Sequence, residues 1–322
     1  MKAKSVHSAL FGLAVGDALG VPVEFQNRDI LKRNPVVDMR EFGTHGQPAG
    51  TWSDDSSLAF CLAESLCDSY DINDIANKFV LWREEKLWTP HGRVFDIGIA
   101  TNTAIHLISK GTKPLLAGGT SEYDNGNGSL MRILPLLFYA KDFNIEKRFQ
   151  LVKEVSSITH AHIRSIIACF IYLEYGIEIL KDNDKWKAYK NMQETVNKFL
   201  MNNEMCSQEE IDKFHSILEN KVGNYDLAKL DLLKEEEISS SGYVLHSLEA
   251  SFWCILNSNS YEETVLKAVN LGDDTDTTGA IAGGLAGLIY GFENIPENWK
   301  NQLARKNDIL ELCDKLESYI KN

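Results

Sequence analysis

The sequence predicts an all-α fold, a compact single-domain bundle of many helices. Apolar residues recur at three- and four-residue spacing in nearly every stretch between Gly, Pro and Asn clusters. No stretch alternates polar and apolar residues as a half-buried strand does, and no unit of roughly 20 to 50 residues repeats. With 322 residues, 44% of them hydrophobic and 25% charged, the chain has the apolar content for one large core.

From residue 5, Leu10, Leu13, Ala14 and Ala18 mark a first helix that ends near Gly20 and Pro22, with Glu24 in the loop beyond. The two leading lysines imitate a signal peptide, but Asp17 interrupts the apolar run, so an amphipathic helix is expected. No window reads as the roughly 18 uncharged apolar residues of a membrane span. Residues 26–52, punctuated by Pro35, Gly43, Gly46, Pro48 and Gly50, read as loop. Ser53 is a natural N-cap for a helix lined by Leu58, Cys61, Leu62 and Leu66. Helices are expected at about 73–87, 98–110, 129–141, 147–159 and 161–180. Residues 181–238 are charge-dense (KDNDKWK, SQEEIDK, LLKEEE) and are expected as peripheral helices and loops within one domain spanning 1–322. An apolar helix through about 257 follows, then a short helix with the capping-box pattern Ser260 and Glu263, the helix from Gly279, and an amphipathic last helix from Asp308.

Charge narrows the partners. Lys plus Arg number 33 against 46 Asp plus Glu, a net charge of −13 with no basic block, so no nucleic-acid partner is expected. The six cysteines form no CxxC pair, which fits a reducing cytoplasm and gives no zinc or redox motif.

Two helix starts are acidic: Ser53-Asp54-Asp55, and GDDTDTTGAIAGGLAG at 272–287 with Asp273, Asp274 and Asp276. One N-cap needs one side chain, so either most of these carboxylates face solvent or a cation holds them together. The glycines at 279, 283 and 287 keep a helical period that lets another helix approach closely. If the two starts meet, four carboxylates and two hydroxyls form an oxygen-only set suited to hard cations such as Mg²⁺ or Mn²⁺, and more than one octahedral ion needs. The EF-hand pattern is absent. GNGSLMR at 126–132 lacks a third glycine and a preceding strand; it reads either as a turn whose amides approach a phosphate or as a plain helix-initiating turn with Arg132 on the surface. His160 and His162 can bind metal, cap a helix or fill the core, and Trp52, Trp82, Trp88 and Tyr243 can stack on a base or simply pack. No nucleophile elbow is present.

Taken together and in order, GLAVGDALGVPVEF (12–25), GTWSDDSSLAF (50–60), FDIG (95–98), GNGSLMRILP (126–135), SITH (157–160), GYVLHSLEASFW (242–253) and GDDTDTTGAIAGGLAG (272–287) resemble the ADP-ribosylglycohydrolase family. That family includes dinitrogenase-reductase-activating glycohydrolases and ADP-ribosylarginine hydrolases. The resemblance implies an all-α fold with a dinuclear Mg²⁺ or Mn²⁺ site in a cleft, and hydrolysis of the N-glycosidic bond that joins ADP-ribose to a protein side chain, usually arginine. By the same resemblance Ser53, Asp54, Asp55, Asp274, Asp276 and Thr277 are the metal ligands, Ser53 replacing the commoner Thr. Asp273 is left as a cap or supporting residue. Asp55 and Glu24 are placed to position the attacking water, and Asp96 to face the guanidinium leaving group. Gly126, Asn127, Gly128, Ser129 and Met131, with His160 and Tyr243, match the ADP-ribose contacts, while His246 stands where many relatives carry an acid. The partners implied are an ADP-ribosylated protein and ADP-ribose, with no membrane. The alternatives are another conjugate, ADP-ribosyl-serine or O-acetyl-ADP-ribose, and an immunity protein that neutralises an ADP-ribosylating toxin.

Overall fold

A computed structural model describes residues 4–182, 184–218 and 229–321. Residue 183 and residues 219–228 of the expected peripheral segment lie outside the described residues. The described residues form sixteen α-helices and no β-strand, only three isolated bridges.

The architecture follows from one helix pair. α1 (Ser5–Gly20) is buried along its whole length. Continued to Val23 it meets a spanning helix in length and in mean hydropathy, 1.5, contrary to the sequence reading. Its entire surface is nonetheless packed inside the protein, as a core helix requires. α2 (Arg28–Arg33) follows, capped by Asn27, then α3 (Asp54–Ser65), α4 (Ile72–Glu85), α5 (Ile99–Ser109), α6 (Leu136–Ala140), α7 (Ile145–Ser157) and α8 (Ile163–Lys181). The outlying α9 (Lys185–Met201), α10 (Gln208–Asp212) and α11 (His215–Leu218) precede α12 (Val244–Leu256), α13 (Tyr261–Val269) and α14 (Thr275–Tyr290). α15 (Glu297–Gln302) and α16 (Lys306–Lys321) end the chain.

α1 and α14 cross at backbone contact. A Cβ on Gly16 would collide with the Gly279 carbonyl, and one on Gly12 with that of Gly283. The seam therefore depends on small residues at four-residue spacing on both helices, which let main chains touch. Tyr261 donates to the Gly12 carbonyl at 2.7 Å and Tyr172 to that of Ile281 at 2.9 Å, so the flanks are satisfied. At the end of the seam Thr275 Oγ1 donates to the Gly20 carbonyl at 2.8 Å. The acidic start of α14 is thereby fixed beside the loop that leaves α1.

Three segments depart from the expectations. The helix expected over 129–141 shrinks to Leu136–Ala140, because Pro135 lacks an N–H and occupies the N-cap, while the residues before it remain in turns. The loop over 26–52 contains α2, a helix too short to show periodicity. Ser260 caps α13, accepting from the Glu263 N–H at 3.0 Å, but the Glu263 carboxylate accepts from Asn259, so the box closes one residue early.

Candidate active site

Ser53 caps α3: its Oγ accepts from the Asp55 N–H at 3.2 Å and donates to Asp55 Oδ2 at 2.8 Å. From α14, Thr277 Oγ1 donates to the same Asp55 oxygen at 3.4 Å. The two acidic helix starts therefore meet: oxygens of Asp17, Asp55 and Asp276 lie within 4.8 Å of one another, as do those of Glu24, Asp274 and Asp276. Asp276 belongs to both groups. A third group joins Glu24, His45 and Asp96.

Above this cluster opens a cavity of about 640 Å³. Glu24, Asp54, Asp96, Asp274 and Thr277 line one side, and Gly126, Asn127, Gly128, Met131 and His160 another. Asn127 Nδ2 donates to Asp274 Oδ2 at 2.7 Å and to Ser247 Oγ at 2.8 Å, tying the glycine turn to the acidic cluster. A Cβ on Gly128 would meet His160 and Thr101 at 2.8 Å, so only glycine fits this wall. α5 opens on the cavity through Gly98 and Thr101 with no side-chain cap, a helix start that favours anions. Tyr243 and Gly242 border a smaller adjoining cavity of about 380 Å³, where the Tyr243 hydroxyl accepts from Arg164 at 3.0 Å.

Several readings change. Ser129 is fully buried and accepts from Ser156 Oγ at 2.9 Å, so its side chain underlies the turn instead of lining the cavity. Arg132, on the surface in the plain-turn alternative, is buried beneath the loop, donates to the Gly128 and Val155 carbonyls and stacks over Phe79. Asp273 is exposed with φ 59°, and its main chain exchanges bonds with Phe25 and Gln26. His162 caps α8, its Nδ1 accepting from the Arg164 N–H at 3.2 Å. Trp52, Trp82 and Trp88 are core residues. His246 shares a hydrogen bond with Ser241 and stands edge-on to Tyr243.

Two residues escaped the sequence reading. Asp17 is fully buried on α1 and accepts from the Ser53 N–H at 2.9 Å, the Ser56 N–H at 3.0 Å and Ser56 Oγ at 2.5 Å. It caps the first turn of α3 from another helix. His45 Nε2 makes a short hydrogen bond with Glu24, and Thr44 Oγ1 donates to the Glu24 carbonyl at 2.7 Å.

Burial pushes every carboxyl of the cluster upward. Asp54, Asp55 and Asp276 rise well above the ordinary range, first through lost hydration and then through neighbouring carboxylates, chiefly Asp96 for Asp54, Asp17 for Asp55 and Glu24 for Asp276. Burial raises Glu24 to about 7, and the hydrogen bond to Glu24 raises His45. His160, buried and near Arg132, is pushed down to about 3 and is neutral.

The residues fit a hard cation. Asp55 Oδ1 and Asp276 Oδ2 are buried and have no hydrogen-bond partner among the described residues. Unpaired buried carboxylate oxygens beside further carboxylates and two hydroxyls are the donor set that Mg²⁺ or Mn²⁺ takes.

A family model described as ADP-ribosylglycohydrolase matches residues 2–322. The ADP-ribosylarginine hydrolase Tri1 of Serratia proteamaculans (strain 568) is 33% identical over 316 residues, covering 96% of this chain and 77% of the relative. The ADP-ribosyl-[dinitrogen reductase] glycohydrolase of Rhodospirillum rubrum is 27% identical over 326 residues, covering 95% and 94%. Among solved structures, one titled ADP-ribosylglycohydrolase-related protein complex superposes with a TM-score of 0.78 at 28% identity, covering 98% of each chain.

Proposed function

The chain belongs to the ADP-ribosylglycohydrolase family, and from that membership we propose that it hydrolyses the N-glycosidic bond of ADP-ribosylated arginine on protein, releasing ADP-ribose and reversing mono-ADP-ribosylation. The observation that supports this best is the junction of the two acidic helix starts beneath a cavity whose other wall is the Gly126–Gly128 turn.

In this reading Ser53, Asp54, Asp55, Asp274, Asp276 and Thr277 hold two ions of Mg²⁺ or Mn²⁺, with Asp276 belonging to both oxygen groups. Bound there, the ions supply Lewis acidity toward ribose and water oxygens. The protein supplies the rest. Asp55 or Glu24 takes the proton of the attacking water, Glu24 being oriented by His45. Asp96 faces the cationic leaving group; its φ of 48° is a strained conformation of the kind found at functional sites. The Gly126–Gly128 turn receives the diphosphate through the Gly126 and Gly128 amides, while Asn127, whose N–H donates to the Gly242 carbonyl, ties the turn to Asp274; Met131 and neutral His160 lie along the same wall, Tyr243 at its far end, and Ser129 braces the turn from beneath.

We take residues 1–322 as one domain with 181–238 peripheral. A reducing cytoplasm fits the six cysteines, all free. No observation favours the toxin-neutralising alternative. The test is release of ADP-ribose from arginine-linked protein, serine-linked protein and O-acetyl-ADP-ribose, each with Mg²⁺, Mn²⁺ or EDTA. Release from the arginine substrate only with metal is expected; preference for either other conjugate overturns the arginine assignment.

A further inference from the structure

We propose that Phe25 and Ile99 form an apolar lip that docks the polypeptide around the modified arginine and so selects protein-borne over free ADP-ribosylarginine; the inference rests on the hydrolase reading above. Both side chains line the catalytic cavity, yet Phe25 is 67% and Ile99 88% exposed. Large apolar side chains left in water at the mouth of a binding cavity gain free energy when a partner covers them.

The Phe25 ring is held outward. Its φ of 63° is a backbone conformation that bulky residues avoid. Two bonds fix it there: Phe25 N–H donates to the Asp273 carbonyl at 2.7 Å, and Asp273 N–H to that of Gln26 at 2.9 Å. On its inner side the ring meets His45 at 6.2 Å, so it is anchored without being covered.

Position and charge indicate the occupant. Phe25 directly follows Glu24 and Ile99 lies three residues after Asp96, the residue given to the leaving group, and all four line the same cavity. The Gly126–Gly128 wall with His160 is given to ADP-ribose. Besides the metal ligands, the carboxylates of Glu24, Asp96 and Asp273 line the cavity, whose lining among the described residues contains no lysine or arginine. With a net charge of −13, the chain complements a basic polypeptide strand that carries an apolar side chain next to the modified arginine.

The experiment compares steady-state hydrolysis of an arginine-ADP-ribosylated protein and of free ADP-ribosylarginine. For the double variant Phe25→Ser/Ile99→Ser, kcat/KM on the protein falls about tenfold or more through KM, while that on the free amino-acid conjugate stays within about twofold. Phe25→Leu, which keeps the apolar contact, retains the protein rate. Equal loss on both substrates, or no loss on the protein, overturns the lip. If the wild type releases ADP-ribose from neither arginine substrate, the parent reading fails and the lip falls with it, a result distinct from failure of the lip alone.

Discussion

Asp55 and Asp276 each bury a carboxylate oxygen that no donor among the described residues meets, beside neighbours of like charge. Without cations this arrangement costs stability. Asp55→Asn removes one charge and keeps an oxygen for Ser53 and Thr277. In EDTA this variant should melt at or above the wild type, by about 2–4 °C for each kcal/mol recovered, and gain nothing from Mg²⁺ that stabilises the wild type. Scanning calorimetry checks both, and a lower melting temperature in EDTA contradicts the account. His160 gives a pH signature. Its folded value of about 3 lies below the ordinary 6.5, so under pH 6.5 the unfolded chain binds a proton that the folded chain refuses. Stability from this residue is complete above pH 6.5 and shrinks as pH falls, by roughly 2 kcal/mol at pH 5. Denaturant melts of His160→Asn should show a correspondingly flatter loss between pH 7 and 5. The paired acids were legible in the sequence because they are contiguous and crowd a helix start. Asp17 was not, since a lone acid in an apolar helix gives no sign that its partners are Ser53 and Ser56, 36 and 39 residues further on. His45 lies in a glycine-punctuated loop that carries no period.

At the scale of elements, the α1–α14 seam sets the distance between ligand-bearing turns. Gly16→Ala inserts a methyl into the Gly279 carbonyl and should cost about 1–3 kcal/mol. It should also weaken Mn²⁺ binding, measured by calorimetry, more than tenfold. Leu200→Ala, in a buried position on α9, costs about 2–5 kcal/mol and should leave Mn²⁺ affinity unchanged. Equal effects of the two on binding would deny the seam its role. The ladder at 279, 283 and 287 was readable as a close-approach face, and the same period at Gly12, Gly16 and Gly20 was an overlooked sign of its partner. The helix expected at 129–141 failed for a reason also present in the sequence: Pro135 removes a donor, and the apolar run before it serves a buried turn around Arg132. α2 was hidden by its length of six residues.

For the whole molecule, chain order explains how distant motifs make one site. α1 delivers Asp17 and Glu24, α3 the Ser53–Asp55 turn, and α14 Asp274 to Thr277, while the Gly126–Gly128 turn closes the cavity through Asn127. The all-α class was legible from periodicity, but the meeting of residues more than 200 positions apart was an inference from matching chemistry. The central claim is metal-dependent hydrolysis of arginine-linked ADP-ribose at this junction. Its most direct test is ADP-ribose release from an arginine-ADP-ribosylated protein by the wild type with Mg²⁺, the wild type in EDTA, and Asp276→Ala with Mg²⁺, each confirmed folded by its melting curve. The account predicts release in the first case and a loss of about a thousandfold or more in the other two; full release in EDTA, or by folded Asp276→Ala, would contradict it.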